Sequence, residues 1–282
     1  MRAPRPRTPV TSRVRLRSKH RPRLAWLARL IVCGLLLSPF PLPAGPPDPS
    51  PRLHVPLITG ALDEKAWTRA ARIRLADFWT QRGNPFEPSE VLLLNSGAAL
   101  HVKFLVEDTD IRSDPARAYD GETFWDDCVE LFFARPEDGV GEGVGLEINA
   151  TGTAADLRAS NPRKADRTWN FSPAPAQTPT ATPGVSYQIE RVPTLLPLGR
   201  EATRAGWIIE VILPWQQLQR ALALPGSAYE RPTQIRANFA RWNHGANGKI
   251  FTLWADPGFT TPDPHAPWRY GWLILDPRPA QP

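Results

Sequence analysis

Tryptophan is the residue whose number and placement point most directly to chemistry. The chain of 282 residues holds 11 tryptophans, and all but Trp26 follow residue 50. Several lie in stretches rich in proline and glycine, where an indole has few core neighbours. The C–H face of a pyranose packs on an aromatic ring, while its hydroxyls need planar polar partners. These residues therefore predict a saccharide-binding surface of indoles beside amide, acid and arginine groups.

The candidate ligand-binding residues come from four segments and combine such rings with polar side chains. They are Trp125, Glu130, Glu147, Asn149, Asn238, Arg241, Trp242, His265 and Trp268. A core tryptophan, solvated sheet positions and a loop anchor would give the same pattern, so both interpretations stay open. Arg241 shares strand parity with Phe239, so either the strand bulges or Arg241 reaches past the edge of the core.

Catalytic and metal motifs are scarce. The histidines after residue 50 share no metal-ligand spacing, and Cys128 is the one cysteine after that point. We expect no cofactor, although acids such as Asp108, Asp110, Asp126 and Asp127 could bind structural calcium if they are not simple turn formers. Met1 is the single methionine, which argues against Met/His haem ligation in the folded part.

An enzymatic interpretation depends on one pair of carboxylates. Glu130 and Glu147 are candidates for the two acids of a glycosidase, the alternative being that they are simply neighbours on one sheet face. Neither a Gly-x-Ser-x-Gly motif nor a glycine-rich phosphate loop is present. We therefore expect a non-catalytic binding protein, with a glycoside hydrolase or a cell-surface protein-interaction module as alternatives.

The positive charge of the chain is confined to its start. Residues 1–44 carry ten Arg and Lys and no acid, so the formal charge of +6 becomes mildly negative beyond them. This distribution argues against a nucleic-acid partner. The basic stretch and the short apolar run 30–37 are typical of a signal peptide, which predicts a secreted or periplasmic protein without a stable membrane span. An uncleaved membrane anchor is the alternative.

The elements that must position these residues are mostly strands. Period-2 alternation predicts strands over 99–107, 128–135, 144–150, 187–192, 206–213, 234–243, 251–256 and 270–276. Helices are predicted over 62–71 and over 214–223, with Pro214 in the first turn. We expect an all-β fold, an antiparallel two-sheet β-sandwich of the Ig-like or jelly-roll type with one or two short helices.

Domain boundaries follow from these patterns. We expect a signal peptide over 1–44, a proline-rich linker over 45–54, the sandwich over 55–277 and a tail over 278–282. The segment 171–184 is rich in proline, threonine and alanine and is expected to be a loop. We expect a monomer.

Seven blocks in order resemble the family 9 carbohydrate-binding modules, a group of DOMON-like domains. They are ITGALDEKAW (58–67), VEDTDI (106–111), FWDDCVELFF (124–133), LEINATGT (146–153), GWIIEVILPWQQL (206–218), RANFAR (236–241), and WADPG with PHAPWRYGWLIL (254–275). The resemblance implies two roughly five-stranded sheets and non-catalytic binding of plant-type β-glycans or their chain ends, in some members with structural calcium.

The resemblance also implies roles for individual residues. Family ligands are gripped between two aromatic rings, and by motif Trp125 is the first ring and Glu130 the acidic contact after it. Asn149, Asn238, Arg241 and His265 match family positions, and Glu147 takes a position that is arginine in some members. Ala240 replaces a polar contact, and Trp268 stands where glutamate is common. The second ring is therefore either Trp268 or Phe259.

Overall fold

The computed structural model describes residues 48–80, 87–136, 142–160, 164–166, 185–192, 205–223, 233–245 and 248–276. The predicted signal peptide, the 171–184 segment and the 278–282 tail lie outside the described residues. Among the described residues, no helix has the length and apolar character needed to cross a membrane.

Thirteen strands dominate the described fold, which confirms the all-β prediction. Their bounds are β1 Arg52–Val55, β2 Ala71–Arg74, β3 Ser89–Asn95, β4 Ala99–Glu107, β5 Cys128–Ala134, β6 Gly143–Asn149, β7 Ala154–Ser160, β8 Lys164–Asp166, β9 Ser186–Val192, β10 Gly206–Pro214, β11 Gln234–Gly245, β12 Gly248–Leu253 and β13 Gly271–Leu275.

The strands form two sheets of unequal size. The large sheet has eight strands in the order β1-β13-β11-β5-β6-β7-β8, with β12 also paired to β11. The small sheet has five, in the order β2-β3-β4-β10-β9. Pairing is antiparallel except between β1 and β13, which run parallel. Strand β1 begins at Arg52, inside the range predicted as linker.

The core lies between the two sheets. Val129, Leu131 and Phe133 alternate inward from β5, and Phe104 and Trp207 face them from the small sheet. Phe239 joins the layers through edge-on contacts at 6.2 Å with both Phe104 and Phe133. Alternation therefore directs the intervening residues of β5, β6 and β11 to the opposite side of the large sheet, called here the outer face.

The helices are short. Helix α1 spans Glu64–Trp67, and the side chain of its N-cap residue Asp63 accepts a hydrogen bond from the Ala66 amide at 2.8 Å. The prediction of a helix over 62–71 was too long, because Ala71 already pairs with Leu93 in the small sheet. Helix α2 spans Trp215–Ala221, and Pro214 is its N-cap rather than part of its first turn.

Candidate functional site

The outer face of the large sheet brings most of the candidate residues together. Glu130 and Glu147 are direct cross-strand partners in β5 and β6, and both side chains are buried. In the next row, Cys128 lies between Asn149 on one side and Trp242 on the other. The sequence-predicted acids, amide and indole are thus neighbours on one surface.

Trp125 stands at the rim of this surface, on a short 3₁₀ helix Thr123–Trp125 that leads into β5. Its side chain is 55% exposed, the highest value among the large hydrophobic residues described. The helix is fixed from below, because the Thr123 hydroxyl donates to Glu147 Oε2 at 2.6 Å. A large exposed indole on a fixed backbone has the properties of a platform for a flat ligand.

Two aspartates hold the chain directly after Trp125. Asp126 accepts two hydrogen bonds from the Arg117 guanidinium and one from Asn149 Nδ2. Burial opposes ionisation of Asp126, but these donors outweigh it and keep its pKa below the ordinary value. Asp127 accepts from the backbone amides of Arg112 and His244. The Trp-Asp-Asp segment therefore orients Trp125, and both of its acids have internal partners.

Trp242 lies on the outer face of β11 and belongs to a stack of rings. Phe251 of β12 packs flat on it with ring centroids 3.9 Å apart, and Trp79 packs on Phe251 at 5.6 Å. The Trp79 indole N–H in turn donates to the Phe259 carbonyl at 2.9 Å. This stack supports Trp242 from one side and makes it a rigid wall.

Lys249 contacts the rings of both Trp242 and Trp125. Its Nζ is 4.0 Å from the Trp242 ring centroid and 4.4 Å from that of Trp125. The two ring centroids are therefore no more than 8.4 Å apart. Sequence analysis included Trp242 in the site but missed Lys249, because the predicted strand began at 251 instead of 248, and it gave Phe251 no role in the site. Extending the alternation two residues upstream would have placed Lys249 beside Phe251.

The loop between β12 and β13 covers another part of the outer face. Asn238 binds it by donating to the Ala255 carbonyl and accepting from the Ala255 amide. His265 and Tyr270 pack on Phe132, with ring centroids 5.5 and 6.1 Å away. Burial raises the pKa of Tyr270 well above its ordinary value. In this geometry Asn238 fastens the loop, and His265 lies over the sheet beside it.

Trp268 and Phe259, the two candidates for the second ring, contact each other. Their centroids are 6.1 Å apart in an edge-on arrangement, and Trp268 lies in the 3₁₀ helix Pro267–Arg269. The ring that shares Lys249 with Trp125 is Trp242, not either of these. Trp268 therefore remains a predicted ligand contact whose ring lies in the covering loop.

Arg241 points to the inner side of the large sheet, as its parity with Phe239 indicates. It is 1% exposed, donates to the Glu87 carbonyl at 2.8 Å and forms an ion pair with Asp108 at 3.2 Å. Of the two possibilities left open by the sequence, the one observed is an arginine at the edge of the core. The structure thus does not bring Arg241 together with the outer-face residues.

The acids around Arg241 are the group with oxygen ligands for a metal. Carboxylate oxygens of Glu87, Asp108 and Asp110 lie within 4.8 Å of one another, a donor type that suits calcium. However, Glu87 accepts hydrogen bonds at both oxygens, from Thr109 and Asn243, and Asp108 pairs with Arg241. The oxygens are of the type that binds calcium, but those of Glu87 and Asp108 already interact with other groups of the chain. The cluster is therefore a poor fit to a metal site.

Comparison with known proteins supports the fold and leaves the family open. No known family profile matches the chain, and no curated protein matches it. Among solved structures, a candidate carbohydrate-binding protein of Bacteroides uniformis is 16% identical with a TM-score of 0.56, covering 80% of this chain and 100% of its own.

A family 9 carbohydrate-binding module of Caldicellulosiruptor kristjanssonii also has this fold. Its cellotriose complex is 12% identical with a TM-score of 0.53, covering 81% of this chain and 95% of its own. Its glucose complex is 13% identical with a TM-score of 0.52, covering 82% and 98%. At these identities the likeness shows a shared fold, a two-sheet β-sandwich.

Proposed function

We propose that this chain is an exported, non-catalytic carbohydrate-binding protein that grips a sugar ring between Trp125 and Trp242. The observation that carries the proposal is that the Lys249 ammonium lies over the rings of both indoles; the space beside these two rings is called here the slot. Non-bonded carbon atoms pack at about 3.5–4.0 Å, so a pyranose held on both faces needs aromatic planes about 7–8 Å apart. The limit of 8.4 Å on the centroid separation is consistent with that width.

The floor of the slot offers the polar groups that sugar hydroxyls require. Glu130 and Glu147 lie on the same outer face in neighbouring strands, and Glu130 interacts electrostatically with Lys249. Charged acceptors form strong hydrogen bonds to hydroxyl donors when water is excluded. The family 9 module with the same fold was solved with cellotriose and with glucose, which supports a glycan ligand for this chain.

The absence of catalysis is part of the proposal. As direct cross-strand partners, Glu130 and Glu147 have a spacing near that of the two acids of a retaining glycosidase. Both are only 1% exposed, and Glu147 accepts the Thr123 hydroxyl. Buried acids at the bottom of a slot one sugar ring wide can receive hydroxyls but cannot flank a glycosidic bond. Export is inferred from the basic and apolar start of the sequence.

Glycan titration of point variants tests the proposal. Each slot ring covers about 100 Å² of apolar sugar face, worth about 2 kcal/mol after ordering, so Trp125→Ala should weaken cellotriose binding about 30-fold. Trp268→Ala, which removes a ring of the covering loop, is the matched control and should have a smaller effect. Unchanged urea unfolding of Trp125→Ala would show an intact fold. Full binding by Trp125→Ala would refute the slot, and release of reducing ends from cellotriose would refute the non-catalytic assignment.

A further inference from the structure

The slot between the two indoles has the composition of a cation cage. The Lys249 ammonium lies over the rings of Trp125 and Trp242, with Phe124 at 5.7 Å as a third ring. None of the described residues accepts a hydrogen bond from its Nζ or forms an ion pair with it within 4.0 Å. Aromatic faces carry negative charge density and attract cations, most strongly when water is excluded.

The floor adds negative charge to the cage. Glu130, on the outer face of β5, is close enough to interact electrostatically with Lys249, and Glu147 is its direct neighbour in the next strand. Burial lowers the pKa of Lys249, and Glu130 opposes that effect. Ring faces above acids are suited to a positively charged group, and a side chain of the protein fills that position here.

Lys249 can leave the cage without disturbing the sheet. Its side chain rises from the exposed start of β12, directly after Gly248, which has a φ of +100°. Backbone pairing of Lys249 with His244 fixes the strand and leaves the four-carbon side chain free to rotate. The ammonium is thus an internal occupant that a ligand can displace into water.

Displacement has different consequences for ligands of different charge. A neutral sugar that enters the slot displaces an ammonium that interacts favourably with Glu130 and brings no charge in its place. An anionic sugar would also bring a like charge towards Glu130. A sugar that carries an ammonium group replaces the lost cation and also stacks on the rings. Of these three ligand classes, it is the one that replaces the Lys249 ammonium with another ammonium.

We propose that the slot prefers saccharides with a free amino group, of the glucosamine class, whose ammonium takes the place of the Lys249 ammonium. This inference rests on the proposed function, because the sugar ring must enter between Trp125 and Trp242. Cation–aromatic contacts with a desolvated ammonium predict a preference of about tenfold over the neutral sugar.

The test is calorimetric titration with three trisaccharides: the glucosamine trimer with its amines protonated, the N-acetylglucosamine trimer, and cellotriose. Wild type should bind the glucosamine trimer about tenfold more tightly than either neutral trimer. Equal binding of the acetylated and free-amine trimers would overturn the proposal, because charge would then play no part. Binding of neutral trimers alone would overturn it and leave the proposed function standing. No binding of any trimer to wild type or variant would overturn both.

Two variants sharpen the measurement. Lys249→Met keeps most of the side-chain length and removes the internal cation, so the preference for the glucosamine trimer should widen, since a displaced Lys249 no longer repels the ligand. Glu130→Gln should bring the ratio of the affinities for the glucosamine trimer and the neutral trimers close to one. The proposal fails if wild type binds all three trimers with equal affinity and Lys249→Met raises the three affinities by the same factor. Lys249 would then only block the slot. Should Glu130→Gln not fold, the wild-type and Lys249→Met preferences decide the question.

Discussion

Arg241 and Lys249 are cations on adjacent strands of one sheet, yet their surroundings differ in every respect. The Arg241 guanidinium is 1% exposed and is bound by the Glu87 carbonyl and the Asp108 carboxylate. The Lys249 residue is exposed, and its ammonium lies over the ring faces of Trp125 and Trp242. The strand periodicity sends Arg241 to the inner side of the sheet, and β12 presents Lys249 on the outer face.

The difference separates a structural charge from an exchangeable one. A buried charge whose partners are fixed cannot leave without stranding those partners, so it holds the fold together. A cation that contacts only ring faces can return to water at a much smaller cost. We infer that the Arg241 cluster positions the ends of β4 and β11, and that the Lys249 cage is the part of the molecule that responds to a ligand.

The largest expected effect tests this separation directly. Arg241→Met should lower the free energy of unfolding by about 3–5 kcal/mol, because Asp108 would remain buried without its cation. Lys249→Met is the matched control and should change it by less than about 1 kcal/mol. Urea unfolding of both variants measures the contrast. Equal losses of unfolding free energy in the two variants would contradict the distinction between a structural charge and an exchangeable one.

A smaller effect concerns the pH dependence of folding stability that arises from the Arg241 cluster. Burial raises the pKa of Asp108 to about 6, even though Arg241 acts in the opposite direction. The folded state therefore holds a proton that the unfolded state releases near its ordinary pKa of 3.8. Stability should fall as the pH rises from about 4 to about 6, by up to about 3 kcal/mol, and level off above that window.

The variant Asp108→Asn checks the assignment of this slope. Because the amide does not titrate, its unfolding free energy should vary less across the same window than that of wild type. Urea unfolding at several pH values measures both proteins. A slope that persists unchanged in Asp108→Asn would assign the titration to another buried acid, such as Asp127, whose pKa burial also raises.

Strands whose two faces carry different residue types were predictable from the sequence. Strand β4 has the predicted bounds, because Val102, Phe104 and Val106 alternate with other residue types. Strand β3 was missed because its run 91–94 is apolar on both faces, whereas the equally buried β4 carries His101 and Lys103 on one face. Its Leu92 and Leu94 pack beneath Trp67 of α1 while Val91 and Leu93 face the core. A strand that is apolar on both faces loses the alternation that identifies it.

The sequence predicted site residues only where the alternation within a strand determines which face a side chain lies on. Glu130, Glu147 and Trp242 share the outer face because parity determines it. The pairing of Trp125 with Trp242 could not be read from the sequence, since it depends on the register between β5 and β11 and on a 3₁₀ turn. The roles of Asn149 and Asn238 in binding backbone groups likewise depend on loops that no periodicity describes.

The smallest expected effect concerns calcium. Glu87 already accepts hydrogen bonds from Thr109 and Asn243, and Asp108 already forms an ion pair with Arg241, so a chelator should move the unfolding midpoint by less than about 1 °C. Thermal unfolding in excess EDTA and in excess calcium measures this shift. A bound ion at a hundred times its dissociation constant would stabilise the fold by about 2.7 kcal/mol. A fall of several degrees in EDTA would therefore mean that a metal shares the inner cluster with Arg241, and that the arginine alone does not balance its charge.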